Sequence, residues 1–252
     1  MFKALLVDDS LNFRSALYEA LHSRFPFCDF VGVDGVESAL HKVSISKMQP
    51  DVILTDLVLL DGSGLDLIRR LRAMGVTTAI AVITIHDLPE YREEAERSGA
   101  NKFFAKLSMS VHDIFHYIDA LLATRLRALV ICGEPGLNKT LGALLAARWP
   151  NMVTARTSGL EEGVQTGRLL KPQLVLFHSD DDGERERLYC QTLSIGCRGI
   201  GMRLVCVRNA PAASPAPAGA DFVVSRAADF EEQLARIVDL IRAEHRPPPL
   251  AA

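Results

Sequence analysis

The 252-residue sequence is poor in aromatic residues, with one tryptophan and four tyrosines. It also lacks any apolar run of about 18 residues, so no membrane span is indicated. The opening MFKALLVDDS has no charged leader followed by a long apolar stretch and a small-residue cleavage site, and no secretory signal is read there. The five cysteines, Cys28, Cys132, Cys190, Cys197 and Cys206, are odd in number and form no C-x-x-C pair. Cys132 and Cys206 lie inside apolar, strand-like runs, where a buried thiol is the ordinary reading. A reduced, cytoplasmic protein is expected, with a Cys190–Cys197 disulfide as the alternative left open. Strong charge of one sign is missing too. Residues 1–124 carry a formal charge of −5 and residues 125–252 one of +2. Neither half has the basic excess of a nucleic-acid-binding domain, and no direct nucleic-acid binding is expected.

What is present is alternation. In the first half short apolar runs at 4–8, 30–33, 51–56, 79–84 and 103–106 alternate with stretches of helical period. Pro50 precedes the third run and disfavours helix there. Such alternation predicts a parallel sheet with helices on both faces. The second half repeats the rhythm, with strand candidates at 128–132, 152–155, 173–178, 202–207 and 222–225. QPDVILTD (49–56) pairs with KPQLVLFH (171–178), and GANKFFAK (99–106) with GADFVVSR (219–226). This repeat of about 120 residues implies two domains of one fold. The expected boundaries are 1–124 and 127–246, with a Pro/Ala-rich linker at 210–219 and a disordered tail at 247–252.

Ligands of open parallel sheets sit beyond the carboxyl ends of the strands. In the first half those ends carry Asp8 and Asp9, Asp56, Thr84 and Lys106. Three carboxylates at one edge repel one another unless a cation offsets their charge, and a hard divalent ion such as Mg²⁺ suits oxygen donors. A carboxylate nucleophile, a metal, a lysine and a hydroxyl donor together make equipment for phosphoryl transfer.

LLVDDS, PDVILTDLVLLDGSGLDL, VITIHD and GANKFFAKLS resemble a response-regulator receiver domain over residues 1–124. The resemblance implies two flavodoxin-like (βα)5 doubly wound parallel-sheet domains in tandem, since the second half shares the rhythm. It implies that Asp56 accepts the phosphoryl group, and that Asp8 and Asp9 hold Mg²⁺ together with Asp56 and the backbone carbonyl of Val58. Thr84 matches the switch hydroxyl, Lys106 its lysine partner and Phe103 the switch aromatic. Leu59-Leu60 replaces the usual Met-Pro. Ile85 and Leu107, with TIHD and LNFR, look like the subtype seen in LuxR/NarL-type regulators.

In the second half the corresponding positions are Cys132-Gly133, His178 and Arg226, so a pseudo-receiver without phosphorylation chemistry is expected. Its CGEPGLNKT (132–140) comes within one residue of a phosphate-binding loop, with Asn138 where the second glycine belongs. The favoured reading is a strand-to-helix turn equivalent to VDDSLNFR. The acidic turn 180–182 is read as solvated. The expectation is a response regulator, not an enzyme. It would be phosphorylated by a sensor histidine kinase or phosphotransfer protein, with output through a downstream protein partner or a homodimer, and no membrane partner. The alternatives are a phosphoryl sink or relay intermediate, and a nucleotide-binding regulator using residues 133–140.

Overall fold

The computed structural model describes residues 2–46, 48–179, 184–197, 201–209, 217–226 and 229–245. The acidic turn 180–182, the tail and most of the predicted linker lie outside these. The chain divides into two compact units, Phe2–Ile118 and Asp119–Ala252. No helix among the described residues is long and apolar enough to cross a membrane.

In the first unit, the elements run β1 (Phe2–Val7), α1 (Leu11–Arg24), β2 (Cys28–Val33), α2 (Val36–Ser44), β3 (Val52–Thr55), β4 (Val58–Leu59), β5 (Gly62–Ser63), α3 (Gly64–Ala73), β6 (Ala79–Thr84), α4 (Pro89–Ser98) and β7 (Lys102–Ala105). Helix α5 (Val111–Ala123) follows, and the division between the units falls inside it. Strands β2-β1-β3-β6-β7 form one parallel sheet. Its central strands are apolar on both faces because helices cover both, and all four residues of β3 are buried. Leu5, Val7, Ile53, Ile80 and Val82 pack on Leu67, Ile68 and Leu71 of α3 in one such layer. Helix α4 starts with Pro89 at its first turn and stops at Gly99, whose φ of 103° makes a left-handed cap. The predicted loop at 61–64 instead belongs in part to a short antiparallel ladder, β4 with β5.

The second unit contains β8 (Arg127–Ile131), α6 (Pro135–Arg148), β9 (Val153–Thr157), α7 (Leu160–Leu170), β10 (Leu174–His178), α8 (Glu184–Gly196), β11 (Arg203–Arg208), β12 (Phe222–Ser225) and α9 (Phe230–Glu244). Its sheet runs β9-β8-β10-β11-β12, the same topology as the first. The fold is therefore α/β with two doubly wound parallel sheets in tandem.

The registers superimpose residue by residue. Val7 faces Thr55 as Ile131 faces Phe177. Thr84 faces Ala105 as Arg208 faces Ser225. One step beyond the strands, Cys132 stands for Asp8. His178 stands for Asp56 and Arg226 for Lys106, while Arg208 takes the place of Thr84.

This alignment explains CGEPGLNKT. Helix α6 begins at Pro135, so Lys139 lies a full turn inside it on the exposed side. A phosphate-binding loop would run up to that lysine, whereas here residues 135–138 are already helical. Asn138 occupies the place of Arg14. Its Nδ2 donates to the carbonyls of Cys132 (2.9 Å) and Thr157 (2.8 Å), tying the ends of β8 and β9 to α6. Arg14 Nη1 donates to the Asp8 carbonyl in the same way. Asn138 is thus a structural clasp.

Replacing Asn138 with alanine leaves two carbonyls without this donor and is expected to cost about 1–3 kcal/mol in urea unfolding. Lys139→Ala should stay within about 0.5 kcal/mol. An ATP-induced rise in melting temperature that Lys139→Ala abolishes would restore the nucleotide reading.

Candidate functional site

The strand order places the site. The order in which strands are added reverses between the parallel neighbours β1 and β3, which opens a crevice at their carboxyl ends. Asp8 follows β1 and Asp56 follows β3, and both are buried, at 4% and 7% exposure. Lys106, just past β7, reaches between them. Its Nζ lies 2.6 Å from Asp8 Oδ2 and 2.5 Å from Asp56 Oδ2. The ammonium also sits over the Phe13 ring, 4.2 Å from its centroid.

The backbone fixes the rest of each carboxylate. Asp56 Oδ1 accepts from the Leu57 N–H at 2.6 Å, with the Val58 N–H at 3.4 Å. Asp8 Oδ1 accepts from the Ser10 N–H at 2.9 Å. Ser10 in turn caps α1 by accepting from the Phe13 N–H. The Asp56 Oδ2 edge therefore faces the lysine. Gly64 is what lets α3 begin against this loop: a Cβ there would come within 1.9 Å of the Asp56 carbonyl oxygen.

The electrostatics are unbalanced. Burial raises the Asp8 pKa, and the hydrogen bond and charge of Lys106 offset only part of that. For Lys106, burial is the largest influence and opposes the charge, but the hydrogen bonds and charges of Asp56 and Asp8 together outweigh it and raise its pKa. One ammonium is shared by the two carboxylates. Asp9, half-buried next to Asp8, makes no side-chain hydrogen bond or ion pair among the described residues. The donors are hard oxygens with surplus negative charge, which suits a divalent cation such as Mg²⁺. Among the described residues no three acidic, histidine or cysteine side chains form a ready metal cluster. A cation here would complete its shell with backbone carbonyl and water.

Residues 4–118 match the family described as response regulator receiver domain. This segment is a receiver domain. It is 34% identical over 104 residues to the two-component response regulator PhoP of Pseudomonas aeruginosa, covering 41% of this chain and 44% of that protein. It is also 34% identical over 108 residues to a protein-glutamate methylesterase/protein-glutamine glutaminase of Syntrophomonas wolfei, covering 43% of this chain and 30% of that one. A two-component response regulator structure from Clostridium difficile aligns at 21% identity and a TM-score of 0.44, over 48% of this chain and 96% of that one. The chain spans less than half the length of the curated relatives it matches.

In the receiver domain, Asp8, Asp56 and Lys106 come together as one cluster. Thr84 is fully buried at the end of β6, and its carbonyl accepts from the Lys106 N–H at 2.6 Å. Its hydroxyl accepts from the His86 N–H at 3.3 Å. Val58 is exposed in β4 at the mouth. Phe103 stands apart from the carboxylates, half-buried in β7 with the Arg92 guanidinium 4.7 Å from its ring centroid. Sequence reading passed over Phe13, Arg14 and Gly64. Phe13 and Arg14 stood in LNFR and Gly64 in DGSG, stretches noted for family likeness and as a loop, with nothing in the residue types to give them a role at the site.

The equivalent edge of the second unit is built differently. Arg226 pairs with Glu134 (2.9 Å) and Asn209 (3.0 Å). Arg208, in the place of Thr84, is buried against Glu186 of α8, with Nε donating at 2.7 Å. Each cation there has its own carboxylate.

Gly64→Ala forces the Asp56 loop or the start of α3 to move, and is expected to destabilise the chain by about 1–3 kcal/mol in urea unfolding. An unchanged midpoint would show that the loop yields without cost.

Proposed function

We propose that this chain is a response regulator phosphorylated on Asp56 in a Mg²⁺-dependent reaction, with the second unit as an output or docking module lacking that chemistry. The observation that carries the reading is the pair of buried carboxylates bridged by Lys106. Asp56 Oδ2 is the nucleophile: its lone pair forms the new O–P bond as the donor's bond to phosphorus breaks. The leaving group, an imidazole or a carboxylate, departs with the electron pair. The donor is a sensor histidine kinase, a phosphotransfer protein or a small acyl phosphate. The Leu57 N–H holds Oδ1 and so aims Oδ2 outward, while Lys106 moves from bridging carboxylates to neutralising a phosphoryl oxygen. Asp8, Asp9, Asp56 and the Val58 carbonyl would hold Mg²⁺, which when bound supplies charge neutralisation at the phosphoryl group.

Phosphorylation adds about −1.5 to −2 charges at pH 7. Added charge at Asp56 draws the Thr84 hydroxyl and the β6–α4 loop toward it. Phe103 then repacks beneath Arg92, which changes the face made by α4, β7 and α5. That face is the natural carrier of a signal to a protein partner or a second copy. The second unit fits a pseudo-receiver role because Cys132, Gly133 and His178 leave it no acidic pair and no acceptor aspartate.

Intact mass after incubation with Mg²⁺ and acetyl phosphate tests the assignment. The wild type should gain one phosphoryl group, and Asp56→Ala or chelation should abolish the gain. A gain that survives in Asp56→Ala would move the acceptor elsewhere, with His178 first to be examined.

A further inference from the structure

Lys106 has a partner that phosphoryl transfer does not by itself require. Its ammonium sits over the face of Phe13 while bonded to both Asp8 and Asp56. Phe13 is half-buried in the first turn of α1, and its N–H is fastened to Ser10, next to Asp9. Arg14 beside it grips the Asp8 carbonyl. The start of α1 therefore holds both the acidic loop and the lysine that answers it.

The second unit provides an internal control. Leu137 replaces Phe13, buried in the apolar core. The cation that replaces Lys106, Arg226, pairs at the surface with Glu134 and Asn209 instead. The ring is present where the cation serves two carboxylates and absent where the cation has a carboxylate of its own.

We propose that Phe13 is a positioning residue for Lys106: its ring holds the ammonium between Asp8 and Asp56 by cation–π attraction. A lysine side chain has four rotatable bonds, and two carboxylates alone allow the ammonium to slide toward either. The negative face of the ring fixes the third direction and adds attraction without adding another acid to the site. The ammonium then stays poised to meet a phosphoryl oxygen on Asp56. This inference rests on the reading of Asp56 as acceptor.

Site-specific incorporation of mono-, di- and trifluorophenylalanine at position 13 tests it, because fluorine drains the ring's negative face while leaving its shape and raising its hydrophobicity. The rate of phosphorylation by acetyl phosphate should fall stepwise through the series, by roughly three- to thirty-fold in all for a partly desolvated contact. Phe13→Trp should retain the rate and Phe13→Leu should lose it. A flat or rising series would overturn the proposal, since packing alone predicts no fall. Metal-free urea unfolding of wild type, Phe13→Leu, Lys106→Met and the double variant gives a readout independent of phosphorylation. The proposal predicts non-additive midpoints, and strictly additive ones would overturn it. If the wild type accepts no phosphoryl group, the acceptor reading fails while this cycle still reports on the Phe13–Lys106 contact.

Discussion

One ammonium shared by two buried carboxylates organises the first unit. Burying Asp8 and Asp56 side by side costs desolvation and repulsion, and at Asp8 the shared Lys106 offsets only part of that. The three residues come from β1, β3 and β7, separated by 48, 50 and 98 positions. The strand order β2-β1-β3-β6-β7 opens the crevice between β1 and β3 and leaves β7 at the end from which a lysine can reach it. Backbone N–H groups from Leu57 and Ser10 hold the two Oδ1 atoms, which leaves both Oδ2 atoms to the one lysine. A site so arranged is prepared for a further cation and for an incoming phosphoryl group.

The second unit shows what the same fold becomes when that constraint is lifted. With Cys132 and His178 in place of the two aspartates, no shared cation is needed, and the charges re-pair locally. Arg226 finds Glu134, and Arg208 turns inward to Glu186, which also lies 3.0 Å from the Cys206 thiol. Burial against Glu186 helps keep that thiol strongly protonated. Asn138 does with two hydrogen bonds what Arg14 does with a guanidinium. The topology survives because it depends on apolar strands covered on both faces, not on the polar edge.

Both the legibility of this protein and its limits follow from that separation. Strands of a doubly wound sheet are continuous apolar runs, and polar residues that end such runs stand out; Asp8, Asp56, Thr84 and Lys106 were visible for this reason. Helix α8 was not. Its buried face consists of Glu186, Cys190 and Leu193, while Leu188 and Ile195 are 58% and 74% exposed. A buried face carrying a charge, beside an exposed face carrying large apolar residues, cancels the period by which helices are recognised. Its glutamate is inward because Arg208 is there to meet it.

The sequence alone determined the α/β class, the duplication and the strand-end residues, because period and spacing are properties of a chain read in one dimension. Tertiary structure decided which of those residues share a charge, that α1 supplies a ring beneath Lys106, and that Gly64 is needed where α3 crosses the Asp56 carbonyl. It also decided that Asn138 clasps two strands instead of cradling a phosphate. These depend on distances between elements brought together only by packing.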